Sequence, residues 1–171
     1  NCITPGGPRM HLLPTMKKII QTPGLMAILD EYNASFRQIF LDGRPFPEDP
    51  QPSYAGYSVG KWEGDTLVVT TVGFDDRQWV DAYGYPVSDK AVLEERYSRP
   101  TRNRMRLDMT LTDPVNYTRP WHSSTKVWGL IPKEAASVAG WSGIVEDRCI
   151  PQDNNYFRSF EPEAADAKKG K

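Results

Sequence analysis

The chain is poor in the two residue types that most often hold metals or move protons. Its 171 residues include only two cysteines and two histidines. Cys2 and Cys149 stand near opposite ends, and His11 and His122 have no helical or strand spacing to a second ligand. Each histidine is therefore interpreted as a hydrogen-bonded or surface imidazole. We expect no metal and no cofactor, and no residue is assigned a catalytic role.

Long apolar runs and an excess of either charge are missing as well. No stretch approaches the roughly 20 apolar residues of a membrane-spanning helix. The formal net charge is -1, with 39% hydrophobic and 25% charged residues, which is typical of a globular chain of one-domain length. There is no basic excess for nucleic acid or for electrostatic membrane docking.

What fills the chain instead is a series of short strand-like runs. Pro23-Gly24 and Gly64 supply turns between apolar segments, and both predict hairpins. Four prolines between positions 45 and 52 predict an irregular connection. At most a short helical turn is expected, over residues 133–138. The predicted strands cover residues 17–21, 25–31, 36–41, 57–62, 66–72, 91–98, 104–112 and 125–131, with a weaker one over 143–149.

The run over 104–112 gives the clearest face assignment. Apolar side chains at 105, 107, 109 and 111 (Met105, Leu107, Met109 and Leu111) alternate with polar ones, which predicts a core face and a wet face. Sequential hairpins favour an all-β, antiparallel up-and-down meander of about eight strands, a calycin- or lipocalin-like barrel or a strongly curved sheet, with an open sandwich as the alternative. The domain prediction is a Pro-rich arm (1–16), the β domain (17–150) and a polar tail (151–171).

One segment carries a family signature, GYSVGKWEGDTLVV at positions 56–69. Together with Cys2-Ile3-Thr4-Pro5-Gly6-Gly7-Pro8, Glu95-Arg96-Tyr97 and Asn154-Asn155, it resembles an uncharacterised family of secreted bacterial proteins found in acidobacteria and related bacteria. The resemblance runs through most of the chain. It implies export to the periplasm or outside the cell, and it implies no activity. The first residue, Asn1, fits an expectation that a leader is removed.

The expected export affects the interpretation of the two cysteines. In an oxidising compartment they are expected to form one disulfide, Cys2 to Cys149, that ties the N-terminal segment to the end of the domain. Such a long loop gives a stabilisation of about 4 to 5 kcal/mol in the chain-entropy model. Two buried thiols are the alternative.

The chain also departs from the pattern of these relatives at four positions. Relatives often carry histidine where this chain has Phe46, Tyr85, Val87 and Val92. Imidazole is the commonest general base and metal ligand, so histidine-dependent chemistry of the family is expected to be lost here.

Two candidate sites follow from the residues. The connection over 73–90 is longer than ordinary hairpin loops and holds Trp79, Tyr83 and Tyr85, which predict a contact surface or a loop packed across a barrel mouth. Its aspartates do not have the spacing of a calcium loop. Glu95 shares a strand face with Leu93 and Tyr97, so Glu95, Arg96 and Tyr97 are candidates for a ligand cavity, while a structural Glu95–Arg96 pair is the favoured interpretation.

Three functions stay open. The favoured one is a non-catalytic extracytoplasmic subunit that packs on other chains of a larger assembly through Pro5, Pro8, Pro14 and the aromatic loop. The second is a calycin-like binder of a small apolar or aromatic ligand. The third is a hydrolase or isomerase that uses carboxylates such as Glu95 or Asp65.

Overall fold

The computed structural model describes residues 4–132, 134 and 143–145. This part of the chain is all-β, as the sequence predicts, with one short helix, α1 (Gly7–Leu12), and one 3-10 turn (Tyr32–Ala34). The nine strands are β1 (Lys17–Gln21), β2 (Leu25–Asp30), β3 (Ser35–Phe40), β4 (Tyr57–Glu63), β5 (Thr66–Val72), β6 (Val92–Thr101), β7 (Arg104–Thr112), β8 (Trp121–His122) and β9 (Lys126–Gly129).

The strands form one curled sheet, a half-barrel in which β1 to β8 follow each other in chain order. β9 pairs with β7, so β7 has both β8 and β9 along one side. Neighbours are antiparallel except β3 and β4, which pair in parallel through Ile39 and Phe40. The meander is therefore interrupted once. The Pro-rich connection between β3 and β4 explains the parallel pairing. It returns the chain to the end of the sheet where β3 began, so that β4 runs in the same direction as β3.

Side-chain alternation places the core on the concave face. Leu107, Met109 and Leu111 are buried and Met105 is half-buried, which confirms the predicted inward face of β7. Leu93, Glu95 and Tyr97 are buried in the same way on β6. The β4–β5 hairpin also forms as predicted, with Gly64 at a φ of 60° that glycine adopts without strain.

The N-terminal segment differs from the expected arm. Pro5 and Pro8 are buried, and Met10 and His11 of α1 are buried with the core residues of the sheet. Proline in the first turn favours a helix start, and Met10 gives the short helix an apolar contact with the core. Gly6 lies so close to the Tyr54 carbonyl that a Cβ atom there would clash with it. Residues 5–12 are thus part of the packed domain, and the predicted boundary at 16 does not separate a free arm.

Several predictions fall beyond this description. Cys2 and Cys149, most of the predicted helical turn over 133–138, most of the predicted strand over 143–149 and the tail over 151–171 lie outside the described residues. These remain predictions.

Candidate ligand cavity and its buried polar cluster

A buried ion pair lies at the centre of the concave face. Arg37 points inward from β3, and Glu95 points inward from β6. Both side chains are fully buried. The Arg37 guanidinium donates to Glu95 through Nη1 to Oε1 at 2.7 Å and through Nη2 to Oε2, a two-pronged geometry that fixes both groups. The partner of Glu95 is therefore Arg37, three strands away in the sheet, and not its neighbour Arg96.

Two hydroxyl groups accept from two of the remaining donors of Arg37. Nε donates to Ser58 Oγ on β4 at 3.0 Å, and Nη2 donates to Thr71 Oγ1 on β5 at 2.7 Å. The two hydroxyls also lie 3.0 Å from each other. Arg37 thereby links four consecutive strands, β3 to β6. A buried charge with its hydrogen bonds satisfied is tolerated, whereas removing one partner leaves a charge without compensation.

His11 joins the ion pair from α1. Its Nε2 lies 2.7 Å from Glu95 Oε1 and 3.2 Å from the Tyr97 hydroxyl. The same Nε2 lies 3.1 Å from Arg37 Nη1, so one ring nitrogen faces the carboxylate, the guanidinium and the phenol. Nδ1 is buried and has no hydrogen-bond partner among the described residues. Tyr97 completes the cluster by donating its hydroxyl to Glu95 Oε1 at 3.0 Å.

The cluster keeps each group in one charge state. Burial lowers the pKa of His11, and this outweighs the nearby Glu95 carboxylate, so the imidazole is neutral. Burial alone raises the pKa of Glu95, but the charge and hydrogen bonds of Arg37 hold it well below its usual range. Burial, together with the Glu95 charge, raises the pKa of the Tyr97 hydroxyl. Glu95 is thus an ionised carboxylate with its oxygens already occupied, which suits a structural anchor better than a general base.

A cavity of about 870 Å³ adjoins this cluster inside the half-barrel. His11 and Tyr97 belong to its lining, as does Trp128 of β9, whose ring centroid is 5.4 Å from that of His11. Further apolar side chains come from β1, β2, β5 and β7: Ile19, Met26, Leu67 and Met105. Arg99 and Arg102, around the β6–β7 turn, line it too. The space is partly open and mostly apolar, with charge at one end.

The structure separates the three residues predicted together for a ligand cavity. Tyr97 lines the cavity, and Glu95 lies behind it in the buried cluster. Arg96 lies on the opposite, convex face, where its Nη2 donates to Glu63 Oε2 at 3.0 Å. The predicted Glu95–Arg96 pair is wrong because successive residues of a strand point to opposite faces.

Of the residues predicted to contact a partner, some are exposed and others are buried. Trp79, Tyr83 and Tyr85 are exposed, by 46%, 89% and 56%, on the loop over 73–90. The loop has internal order, since Val80 N–H donates to the Tyr85 carbonyl at 2.7 Å and Arg9 lies over the Trp79 ring. Pro5 and Pro8 are buried and unavailable to a partner, whereas Pro14 is exposed at the edge of the cavity.

Sequence reasoning did not find Arg37, Ser58 or Thr71. A signal for Arg37 exists, because Ser35, Arg37 and Ile39 share a face and Ile39 is an obvious core residue. His11 had no such signal, since only the packing of α1 brings it to Glu95. His122, by contrast, is exposed and lies 3.0 Å from the Thr110 hydroxyl through Nδ1.

Within the described ranges, no three His, Cys, Asp or Glu side chains are grouped as a metal site would need. The loop aspartates have local partners instead: Asp75 binds Arg77, and Asp81 accepts from the Tyr83 backbone N–H.

No helix in the described part of the chain is long and apolar enough to cross a membrane. Comparison with protein-family models, curated proteins and solved structures gives no significant match.

Proposed function

We propose that the protein is a binder that holds a small, mostly apolar ligand in the concave cavity of its half-barrel. The observation that carries this proposal is the cavity itself. Its volume of about 870 Å³ lies within the range of roughly 300–1,000 Å³ of small-molecule sites. Its walls are apolar side chains with a few convergent polar groups, which is the usual composition of such sites.

The buried cluster supports binding over turnover. Arg37 links four strands, because its guanidinium donates to Ser58, Thr71 and Glu95. A rigid wall lowers the entropy lost when a ligand binds. His11 adds a neutral imidazole to the lining of the same space.

The test uses a neutral fluorescent probe, N-phenyl-1-naphthylamine, with the full chain. Ile19 and Ile20 are adjacent on β1, but Ile19 lines the cavity and Ile20 is 45% exposed on the other face. Ile19→Trp occupies part of the cavity and is expected to weaken probe binding by at least about tenfold, the loss that ~1.4 kcal/mol produces. Ile20→Trp adds the same side chain outside and is expected to leave binding unchanged.

Two results would contradict the proposal. One is an absence of saturable probe binding by the wild-type chain. The other is an equal effect of the two tryptophan substitutions, with both variants retaining the wild-type melting temperature.

A second candidate function is contact with another protein through the aromatic loop. It rests on the exposure of Trp79, Tyr83 and Tyr85, because aromatic side chains dominate contact energies when they lie on an ordered surface. Pro5 and Pro8 are buried and are not part of this contact surface.

Replacing the three aromatics by Ala is expected to release the protein from a complex in native extract while the melting temperature stays unchanged. Phe36→Ala, at 63% exposure on β3, is the matched control. Retained co-migration on gel filtration would exclude this surface.

We also propose an exported location and the Cys2–Cys149 disulfide, both supported by the resemblance to secreted proteins. Peptide mapping of the native protein under non-reducing conditions tests the bond. Two free thiols would contradict it.

A further inference from the structure

We propose that the ligand is an anionic amphiphile, a carboxylate with an apolar body, whose carboxylate binds the arginines around the β6–β7 turn. This inference rests on the proposed binding function and names the ligand class. The apolar body would lie along the wall formed by Ile19, Met26 and Met105, toward Trp128.

The charge of the cavity lining is the first argument. Its lining includes the cations Lys17, Arg99, Arg102 and Lys126, and among the described residues its only acidic member is Asp65. The side chain of Arg104 alternates with Met105 to the convex face, beside Gly129, and is not counted. Lys17 is neutralised, since its Nζ lies 2.9 Å from the buried Asp30 carboxylate. Within the described residues the other three cations form no ion pair. A chain with a net charge of -1 has thus concentrated positive charge along one cavity, and such a field attracts an anion.

The placement of these cations is the second argument. Arg99 follows Tyr97 on the inward side of β6, and its Nε donates to the Arg102 backbone carbonyl at 3.1 Å, which holds the guanidinium beside the turn. Lys126 and Trp128 alternate inward on β9, where Lys126 pairs with Leu107 and Met105 with Trp128. The cations therefore come from two segments that border the cavity, the β6–β7 turn and β9.

The chemistry of the two ends selects the ligand class. Guanidinium groups bind a carboxylate through two parallel hydrogen bonds, and they keep their charge at every ordinary pH. A neutral hydrocarbon would fill the wall but leave these cations without a partner. A small polyanion would meet the cations but leave the apolar wall in water. A carboxylate on an apolar body satisfies both ends.

The experiment titrates the full chain with three ligands of equal chain length, each below its critical micelle concentration. They are dodecanoate, dodecanol and dodecyltrimethylammonium, and binding is followed by calorimetry at low and high salt. Dodecanoate is expected to bind at least about tenfold more tightly than dodecanol, the ratio that ~1.4 kcal/mol produces. Added salt is expected to reduce this ratio, because the arginines are exposed. The ammonium amphiphile is expected to bind most weakly.

A matched pair of double variants assigns the effect. Arg99→Gln and Arg102→Gln together are expected to bring dodecanoate affinity down to that of dodecanol and to leave dodecanol binding unchanged. Arg96→Gln and Arg106→Gln remove the same charge from the convex face, where these side chains form exposed ion pairs, and are expected to preserve the preference.

The outcomes separate the two proposals. Equal binding of the acid and the alcohol, or an equal loss in both double variants, would overturn the anion inference and leave the apolar binding site standing. A preference for the ammonium amphiphile would overturn it too. Binding of none of the three ligands would contradict the binding function itself.

Discussion

The two faces of the curved sheet carry ion pairs of similar chemistry in opposite environments. On the convex face, Arg96 pairs with Glu63 at 3.0 Å and Arg106 with Asp108 at 2.9 Å, all in contact with water. On the concave face, Arg37 and Glu95 are fully buried. Exposed pairs add little to stability because water and salt screen them. The buried pair is different: its members depend on each other, and losing one is costly.

The largest effect is expected when the buried pair is broken. Glu95→Gln leaves the Arg37 charge buried without a counter-charge, and we expect the free energy of unfolding to fall by about 3–5 kcal/mol. Glu63→Gln, which removes a carboxylate from the convex face, is expected to leave the denaturation midpoint almost unchanged. Chemical denaturation of both variants measures the difference. Similar midpoints for the two variants would contradict the comparison.

A compensating variant sharpens this result. Arg37→Met combined with Glu95→Leu removes both buried charges, and an apolar pair of similar size is expected to recover much of the lost stability. Ser58 and Thr71 lose their charged partner in this variant but still lie within hydrogen-bond distance of each other. A double variant less stable than Glu95→Gln alone would show that the ion pair stabilises the fold by more than the cost of burying its two charges.

A smaller effect is expected from His11→Ala. The substitution removes the contact of Nε2 with Glu95 but leaves the contacts of Glu95 with Arg37 and Tyr97, so a loss of about 1–3 kcal/mol is expected. His122→Ala removes the exposed histidine and serves as the control. Equal midpoints for the two variants would show that the docking of α1 contributes nothing through His11.

The pH dependence is the smallest effect near neutrality and grows with acid. The pKa of His11 is lowered in the folded state, so the unfolded chain binds the extra proton and stability falls as the pH drops below about 6.5. The pKa of Glu95 is also lowered, so its contribution is complete above about 4.5 and is lost below it. Denaturation midpoints are therefore expected to fall slowly from pH 6.5 to 5 and steeply below 4.5. In His11→Ala the upper part of this slope should be absent.

Local pattern was enough to predict the sheet. The alternation over 104–112, the run over 66–72 and the Pro-Gly turn before Leu25 depend on neighbours in sequence, and β5 and β7 have the predicted bounds. The parallel β3–β4 step was missed, because which strand edge a long Pro-rich connection returns to is not set by local pattern.

The site was only partly predictable for the same reason. The inward direction of Glu95 and Tyr97 follows from alternation with Leu93. The partner of Glu95 does not, because Arg37 is 58 positions away and reaches it only when β3 to β6 are assembled. The role of α1 was missed because a six-residue, Pro-containing segment has too little periodicity to indicate a buried helix.

The five methionines offer the most direct test of the central claim that the concave cavity is the binding site. Met16, Met26 and Met105 line the cavity, whereas Met10 and Met109 are buried in the core and do not. With ¹³C-labelled methionine methyl groups, titration of the full chain with dodecanoate is expected to shift the three lining signals and leave the two core signals in place. Saturable binding that leaves the lining signals unmoved, or moves only the signals of Met10 and Met109, would contradict the account.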